Sequence, residues 1–261
     1  MEVLSVEPAV PPKIAWDLGD TLVRIKAAKM CEGAAKISIC TGRYTTKSQL
    51  ESAIKLEWAD RKDPYHLDVI RNVANLKTEV MYWEEDFYPS VLKRLEIDKP
   101  QKNICAWFAA MQISPKSFEL MPDAVETLEL LKSAEIEQAL LSNAFPSAKK
   151  IVKYHKLQKY FKVIIFSFDY KLVKPDERIY EILEERFNLG HKDKIIFVDD
   201  RKEFLQIPKH LNIIPVWLNC HQYQADDWSG ERISNVKKVL SYCSTVELMP
   251  DKQHIVQGEL I

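Results

Sequence analysis

In the second half of the chain, apolar residues gather into short unbroken runs, separated by longer stretches in which they recur with helical spacing. The runs are Ala139 to Leu141, Val163 to Phe166, Ile195 to Val198 and Ile213 to Trp217. Apolar runs of this length lying between helices are what parallel strands buried on both faces look like. Before and between them, Pro122 and Asp123 open an amphipathic segment with Val125, Leu128 and Leu131 on one face; Pro146 to His155 reads as a second helix and Asp176 to Phe187 as a third. A further run, Lys13 to Trp16, stands alone near the start. It must join the same sheet, because a lone strand has nothing to pair with. The pattern predicts an α/β fold, a doubly wound parallel sheet with helices on both faces.

Residues from about Lys26 to Phe118 have a different texture, with no comparable series of strands. Lys47 to Asp60 and Val80 to Leu95 read as helices, and Thr45, Thr46 or Ser48 could cap the first. The chain therefore divides into a core, residues 1–25 and 119–261, and a helical insertion, residues 26–118, the size of a small domain. Trp58, Tyr82, Trp83, Phe87 and Tyr88 supply its bulk and, at their spacing, form its core; lining a stacking pocket is the alternative. Arg43 and Lys47 lie on a solvated helix face or reach toward anionic groups of a ligand.

Composition narrows the function. Only 6 of 261 residues are glycine, and neither GxGxxG nor GxxxxGK[ST] occurs, which removes dinucleotide-binding and P-loop readings. With 37 basic and 38 acidic residues the net charge is −1, so no global field recruits nucleic acid or an anionic membrane. The five cysteines are odd in number and widely spaced without CxxC, which fits reduced thiols. The first residues, MEVLSVEPAVPPK, lack the order of a signal peptide, and no run approaches 18 apolar residues. The expectation is a soluble cytoplasmic protein with a short extended arm up to Pro12.

In open parallel sheets the working residues sit just beyond the carboxyl ends of strands. Those positions hold Asp17, Leu18, Gly19, Asp20 and Thr21 after the first run, Ser142 and Asn143 after the second, Lys174 beyond the third, and Asp199 and Asp200 after the fourth. Carboxylates converging from two strand ends repel unless a cation sits between them, and oxygen ligands without nearby His or Cys select Mg²⁺. The lysine, the hydroxyl and the amide would neutralise and hydrogen-bond an anionic substrate oxygen, phosphate above all.

The segments KIAWDLGDTLV, ALLSNA, KLVKPDERIYEIL and KIIFVDD resemble, in order and spacing, the four motifs of the haloacid dehalogenase superfamily of hydrolases, of the subfamily I type with a helical cap inserted after motif one. The resemblance implies a Rossmann-like core and a Mg²⁺-dependent phosphomonoester hydrolase of a small phosphorylated metabolite. Asp17 would be the nucleophile, forming an aspartyl-phosphate. Mg²⁺ would be held by Asp17, the backbone carbonyl of Gly19 and Asp200, with Asp199 as an auxiliary ligand. Ser142 would hydrogen-bond a phosphoryl oxygen, Lys174 would offset charge on nucleophile and phosphoryl group, and Asn143 and Thr21 would orient through loop hydrogen bonds.

Two departures stand out. The family usually has an aspartate two residues after the nucleophile, as general acid and base; here Gly19 stands there, with Asp20 one place later, either taking over the role or capping the turn. After Asp200 the family's further acid and glycines give way to Arg201, Lys202, Glu203, Phe204 and Leu205, where Glu203 reads as an exposed helix-start acid. The alternative to an enzyme is a weak or inactive binding or regulatory module that keeps the Mg²⁺ and phosphate pocket. Metal-free halide displacement would not want Asp199 and Asp200 beside Asp17.

Overall fold

A computed structural model describes residues 11–61, 64–99, 102–190, 193–219 and 228–243. The arm expected up to Pro12 therefore lies, through residue 10, outside the described residues. The strands are β1 (Lys13–Trp16), β2 (Val23–Ile25), β3 (Phe118–Leu120), β4 (Gln138–Ser142), β5 (Val163–Phe166), β6 (Ile195–Asp199), β7 (Ile213–Leu218) and β8 (Glu231–Ile233). Six of them form a parallel sheet in the order β5-β4-β1-β6-β7-β8. Every apolar run read from the sequence is one of its strands.

Alternation along each strand builds two cores. Ile14, Trp16, Leu140, Val198 and Val216 point to one face, under helices Ala124–Ser133 and Ala148–Tyr154. Ala15, Leu141, Phe197 and Trp217 point to the other, under helix Glu177–Phe187. The sheet is thus buried on both faces, which is why its strands read as continuous apolar runs. In the first of these helices Val125 is exposed, contrary to expectation, and Ala124 and Thr127 face inward with Leu128 and Leu131.

From β1 the chain winds outward through β4 and β5, then returns to β6 and winds the other way. The reversal puts the switch point of the winding at the carboxyl ends of β1 and β6, where open sheets place their ligands.

The helical insertion leaves and re-enters through an antiparallel ribbon that the sequence pattern does not show. Val23 pairs with Leu120 and Ile25 with Phe118, and Arg24 bridges Glu119 at 2.8 Å. Helices Ala27–Thr41, Lys47–Asp60, Pro64–Arg71, Leu76–Met81, Tyr88–Arg94 and Lys102–Ile113 lie between the two strands. The second is capped by Thr46 rather than Thr45 or Ser48, in a reciprocal box with Gln49. The single helix expected over Val80 to Leu95 instead starts at Leu76 and passes through a π-helical turn, Tyr82–Phe87. That turn gathers Tyr82, Trp83, Phe87 and Tyr88 into one buried core with Phe108, so the aromatics pack as the core of the insertion. Gly33 is required there: a Cβ would sit 2.7 Å from the Phe108 ring. Among the described residues, no helix is long and apolar enough to cross a membrane, and the four described cysteines are free thiols.

Candidate active site

Asp17 is placed by β1. Its N–H donates to Val198 O at 2.9 Å, tying the end of β1 to the end of β6 and bringing Asp17 beside Asp199. The chain then folds back on itself: Leu22 and Val23 donate to Leu18 O, Asp20 donates to Val23 O, and β2 begins. Gly19 and Asp20 are exposed on this loop, Asp20 with a left-handed φ of 52° that aspartate tolerates better than most residues. Thr21 is fully buried and its hydroxyl has no protein partner, so the loop hydrogen bond expected of it is not made.

Lys174 enters from the far side, buried to 1 % exposure. Its ammonium donates to Asp17 Oδ1 at 2.7 Å, Asp199 Oδ2 at 2.5 Å and Leu141 O at 3.2 Å. Burial alone would lower its pKa, but the charges of Asp17 and Asp199 outweigh burial and raise it. Asn143, at the end of β4, grips the lysine by its backbone: Lys174 N–H donates to Asn143 Oδ1 at 2.7 Å and Asn143 Nδ2 donates to Lys174 O at 3.1 Å. Ser142 is the last residue of β4 and is buried.

Asp199 closes the cluster, with Arg201 N–H donating to its Oδ1 at 2.8 Å. Burial raises its pKa, Lys174 pulls it down and Asp17 raises it further; the balance lies above the usual carboxylate range. Asp200 is pushed well above that range by burial and by the charges of Asp199, Asp20 and Asp17. Asp17, Asp199 and Asp200 offer carboxylate oxygens that all lie within 4.8 Å of one another. One lysine cannot neutralise three such groups. A hard cation among them would let all three remain ionised, and the all-oxygen donor set suits Mg²⁺.

Other expected residues lie elsewhere. Arg43 is paired with Glu96 at 2.6 Å and Lys47 with Glu51 at 2.9 Å, both on the surface of the insertion. Glu203 does not start a regular helix; it lies in the short 3-10 turn Lys202–Leu205 and accepts from the Arg201 guanidinium at 2.5 Å. The sequence pattern missed Tyr180. Its ring is buried in helix Glu177–Phe187, its hydroxyl donates to Phe204 O, and burial with the charges of Asp199 and Asp17 raises its pKa. Its place, six residues after Lys174 and in the first turn of the helix that follows, was the available signal. His210 pairs with Glu177 at 2.9 Å on the surface near Glu181, away from this cluster.

A family model for haloacid dehalogenase-like hydrolases matches residues 14–203. A phosphorylated carbohydrates phosphatase of Thermotoga maritima is 26% identical over 162 residues, 60% of this chain and 71% of that protein. (S)-2-haloacid dehalogenase 4A of Burkholderia cepacia is 36% identical over 84 residues, 32% of this chain and 36% of that enzyme. Among solved structures, YfnB of Bacillus subtilis bound to magnesium superposes with a TM-score of 0.64 at 12% identity, covering 88% of this chain and 97% of that one. A HAD phosphatase from Thermococcus onnurineus superposes with a TM-score of 0.56 at 16% identity, covering 88% and 96%. At such identities the structural likeness speaks for the fold alone.

Proposed function

The chain belongs to the haloacid dehalogenase-like hydrolases, and on that premise we propose that it is a Mg²⁺-dependent phosphomonoester hydrolase of a small phosphorylated metabolite. The observation that carries the reading is the convergence of the Asp17, Asp199 and Asp200 carboxylates, the first two of them paired with the buried Lys174. Residues 26–118 act as a cap over a core formed by residues 1–25 and 119–261, the arrangement of subfamily I. The match to a phosphatase of phosphorylated carbohydrates supports the substrate class. A metal-free halide displacement is disfavoured by the same three carboxylates, which would crowd negative charge around the nucleophile.

Asp17 attacks phosphorus as the bond to the leaving oxygen breaks, giving an aspartyl-phosphate that water then cleaves, with release of phosphate and return of the carboxylate. Lys174 offsets charge on Asp17 and on the phosphoryl oxygens, and Ser142 donates its hydroxyl to one of them. Asn143 holds the Lys174 backbone so that the ammonium reaches Asp17. Asp17, the Gly19 carbonyl and Asp200 would hold Mg²⁺; Asp199, with both oxygens already hydrogen-bonded, is auxiliary. When bound, the ion supplies Lewis-acid stabilisation of phosphoryl charge. Asp20 lies close enough to raise the Asp200 pKa, which supports a place for it at the site.

Gly19, where the family's usual acid is missing, favours a second reading: a module that binds Mg²⁺ and a phosphorylated ligand but turns over slowly or not at all. Phosphate release from a metabolite panel, with and without Mg²⁺, compared between wild type and Asp17→Asn, tests both. Release by wild type that vanishes in the variant supports the hydrolase. Release retained by Asp17→Asn overturns the assignment of the nucleophile. A beryllofluoride and Mg²⁺ thermal shift without turnover of any substrate would establish the binding module.

A further inference from the structure

Glu79 lies in helix Leu76–Met81 of the insertion, yet its carboxylate is buried, 1% exposed, against the core. It accepts from the Ser147 N–H at 2.8 Å, the Ser147 hydroxyl at 2.5 Å and the Trp83 indole at 3.3 Å. Two residues earlier, the Phe145 ring enters the insertion's aromatic core, 5.1 Å from Tyr82 and 4.9 Å from Trp83. The segment from Leu141 to Ser147 is thus held from two sides. On the core side, Leu141 O and both groups of the Asn143 amide engage Lys174, and Ala144 exchanges hydrogen bonds with the Ser167 hydroxyl. On the insertion side, Glu79 and the aromatic pair are the anchors.

An apolar side chain would pack this contact without the cost of burying a charge. Burial raises the Glu79 pKa, and the two Ser147 donors and Trp83 oppose it. A carboxylate that takes both the amide and the hydroxyl of one residue does what an apolar contact cannot: it fixes that residue's backbone in orientation as well as in distance.

We infer that Glu79 is a positioning residue: by gripping Ser147 it sets the segment 142–147, and through that segment the Ser142 hydroxyl and the Lys174 ammonium, so that full activity requires the insertion to be seated there. The inference rests on the phosphohydrolase reading of Ser142 and Lys174. It goes beyond it in giving the insertion a part in assembling the core's own groups, separate from covering the substrate.

The test uses the full chain as Glu79→Gln, Ser147→Ala and Ser147→Thr, with steady-state hydrolysis of an aryl phosphate, thermal unfolding, and amide hydrogen exchange over 142–148 and 172–176. Glu79→Gln keeps the size but turns an NH₂ group toward one of the donors. The expected result is a kcat about tenfold lower or more with KM within about twofold, and faster exchange in both segments. Ser147→Ala should follow it in part, and Ser147→Thr, which keeps the hydroxyl, should restore wild-type kcat. A lowered unfolding temperature with unchanged kcat, or faster exchange confined to 142–148, would overturn the inference, because the contact would then only stabilise. Should the wild type hydrolyse no phosphate ester, the phosphohydrolase reading fails, and exchange at 172–176 still decides whether Glu79 positions Lys174.

Discussion

Asn143 holds Lys174 by both of that residue's backbone groups, accepting from its N–H at 2.7 Å and donating to its carbonyl at 3.1 Å. The two residues are 31 positions apart, and the amide side chain supplies what a neighbouring strand would otherwise supply. Asn143→Ala removes both bonds and leaves the lysine backbone to find water or stay unpaired. Stability should fall by about 1 to 3 kcal/mol. Because the ammonium then swings relative to Asp17, kcat should fall by about ten- to a hundredfold. Urea unfolding and steady-state kinetics on the same preparation check the two effects together; a stability loss with intact kcat would mean that Lys174 is held by its carboxylate partners alone.

The three carboxylates predict a specific metal dependence. Asp199 has both oxygens engaged, by Lys174 and by Arg201 N–H, whereas Asp200 is pushed well above the usual carboxylate range by burial and by the charges of Asp199, Asp20 and Asp17. Asp200→Asn should therefore weaken Mg²⁺ binding by about tenfold or more, since affinity of a hard cation follows the charge of its ligands. Titration calorimetry with Mg²⁺ reads this without substrate. Equal affinity in wild type and variant would place the ion elsewhere.

A pH dependence follows from His155, which ends helix Ala148–Tyr154 beside the ribbon that carries the insertion. Burial and the Lys26 charge lower its pKa below 6.5, and its hydrogen bond with the Phe118 backbone only partly opposes them. The unfolded chain then takes up a proton more readily than the folded one. The stability this group contributes is complete above pH 6.5, the ordinary value, and is lost progressively as pH falls through the lower folded value. His155→Gln should lessen the drop in unfolding free energy between about pH 7.5 and about pH 5.5. An unchanged drop would assign the acid sensitivity to other groups.

How far the sequence could be read depended on the range of the forces involved. Strands β1 and β4 to β7 were legible because burial on both faces imposes apolar runs. The ribbon of β2 and β3 was not, since three-residue strands carry no period, and the π-turn at Tyr82–Phe87 leaves the apolar pattern looking like plain helix. Thr46 was distinguishable from Thr45 and Ser48 only through Gln49 three places on, which completes the box. At the candidate site, the strand-end rule singled out Asp17, Ser142, Asn143, Lys174, Asp199 and Asp200, since it depends on topology alone. What each one touches was hidden. Lys174 binding Asp17 across 157 positions, or Ser147 binding Glu79 across 68, leaves no local trace.

Gly19 remains the most informative position for mutation. Its φ is not left-handed, and a Cβ added there meets nothing within 4 Å, so neither backbone conformation nor crowding requires glycine. Gly19→Asp should fold as well as wild type. The new carboxylate would stand two residues from Asp17, where this family usually has its acid, and could protonate a departing alkoxide. General acid catalysis is worth about 10²- to 10⁴-fold when the leaving group is poor and little when it is good. The variant should therefore gain turnover on an alkyl phosphate far more than on an activated aryl phosphate, and the ratio of the two kcat values is the measurement. An equal gain on both substrates would show that proton transfer was not what Gly19 removed. No gain on either would show that restoring an acid at this position does not restore proton transfer to the leaving oxygen.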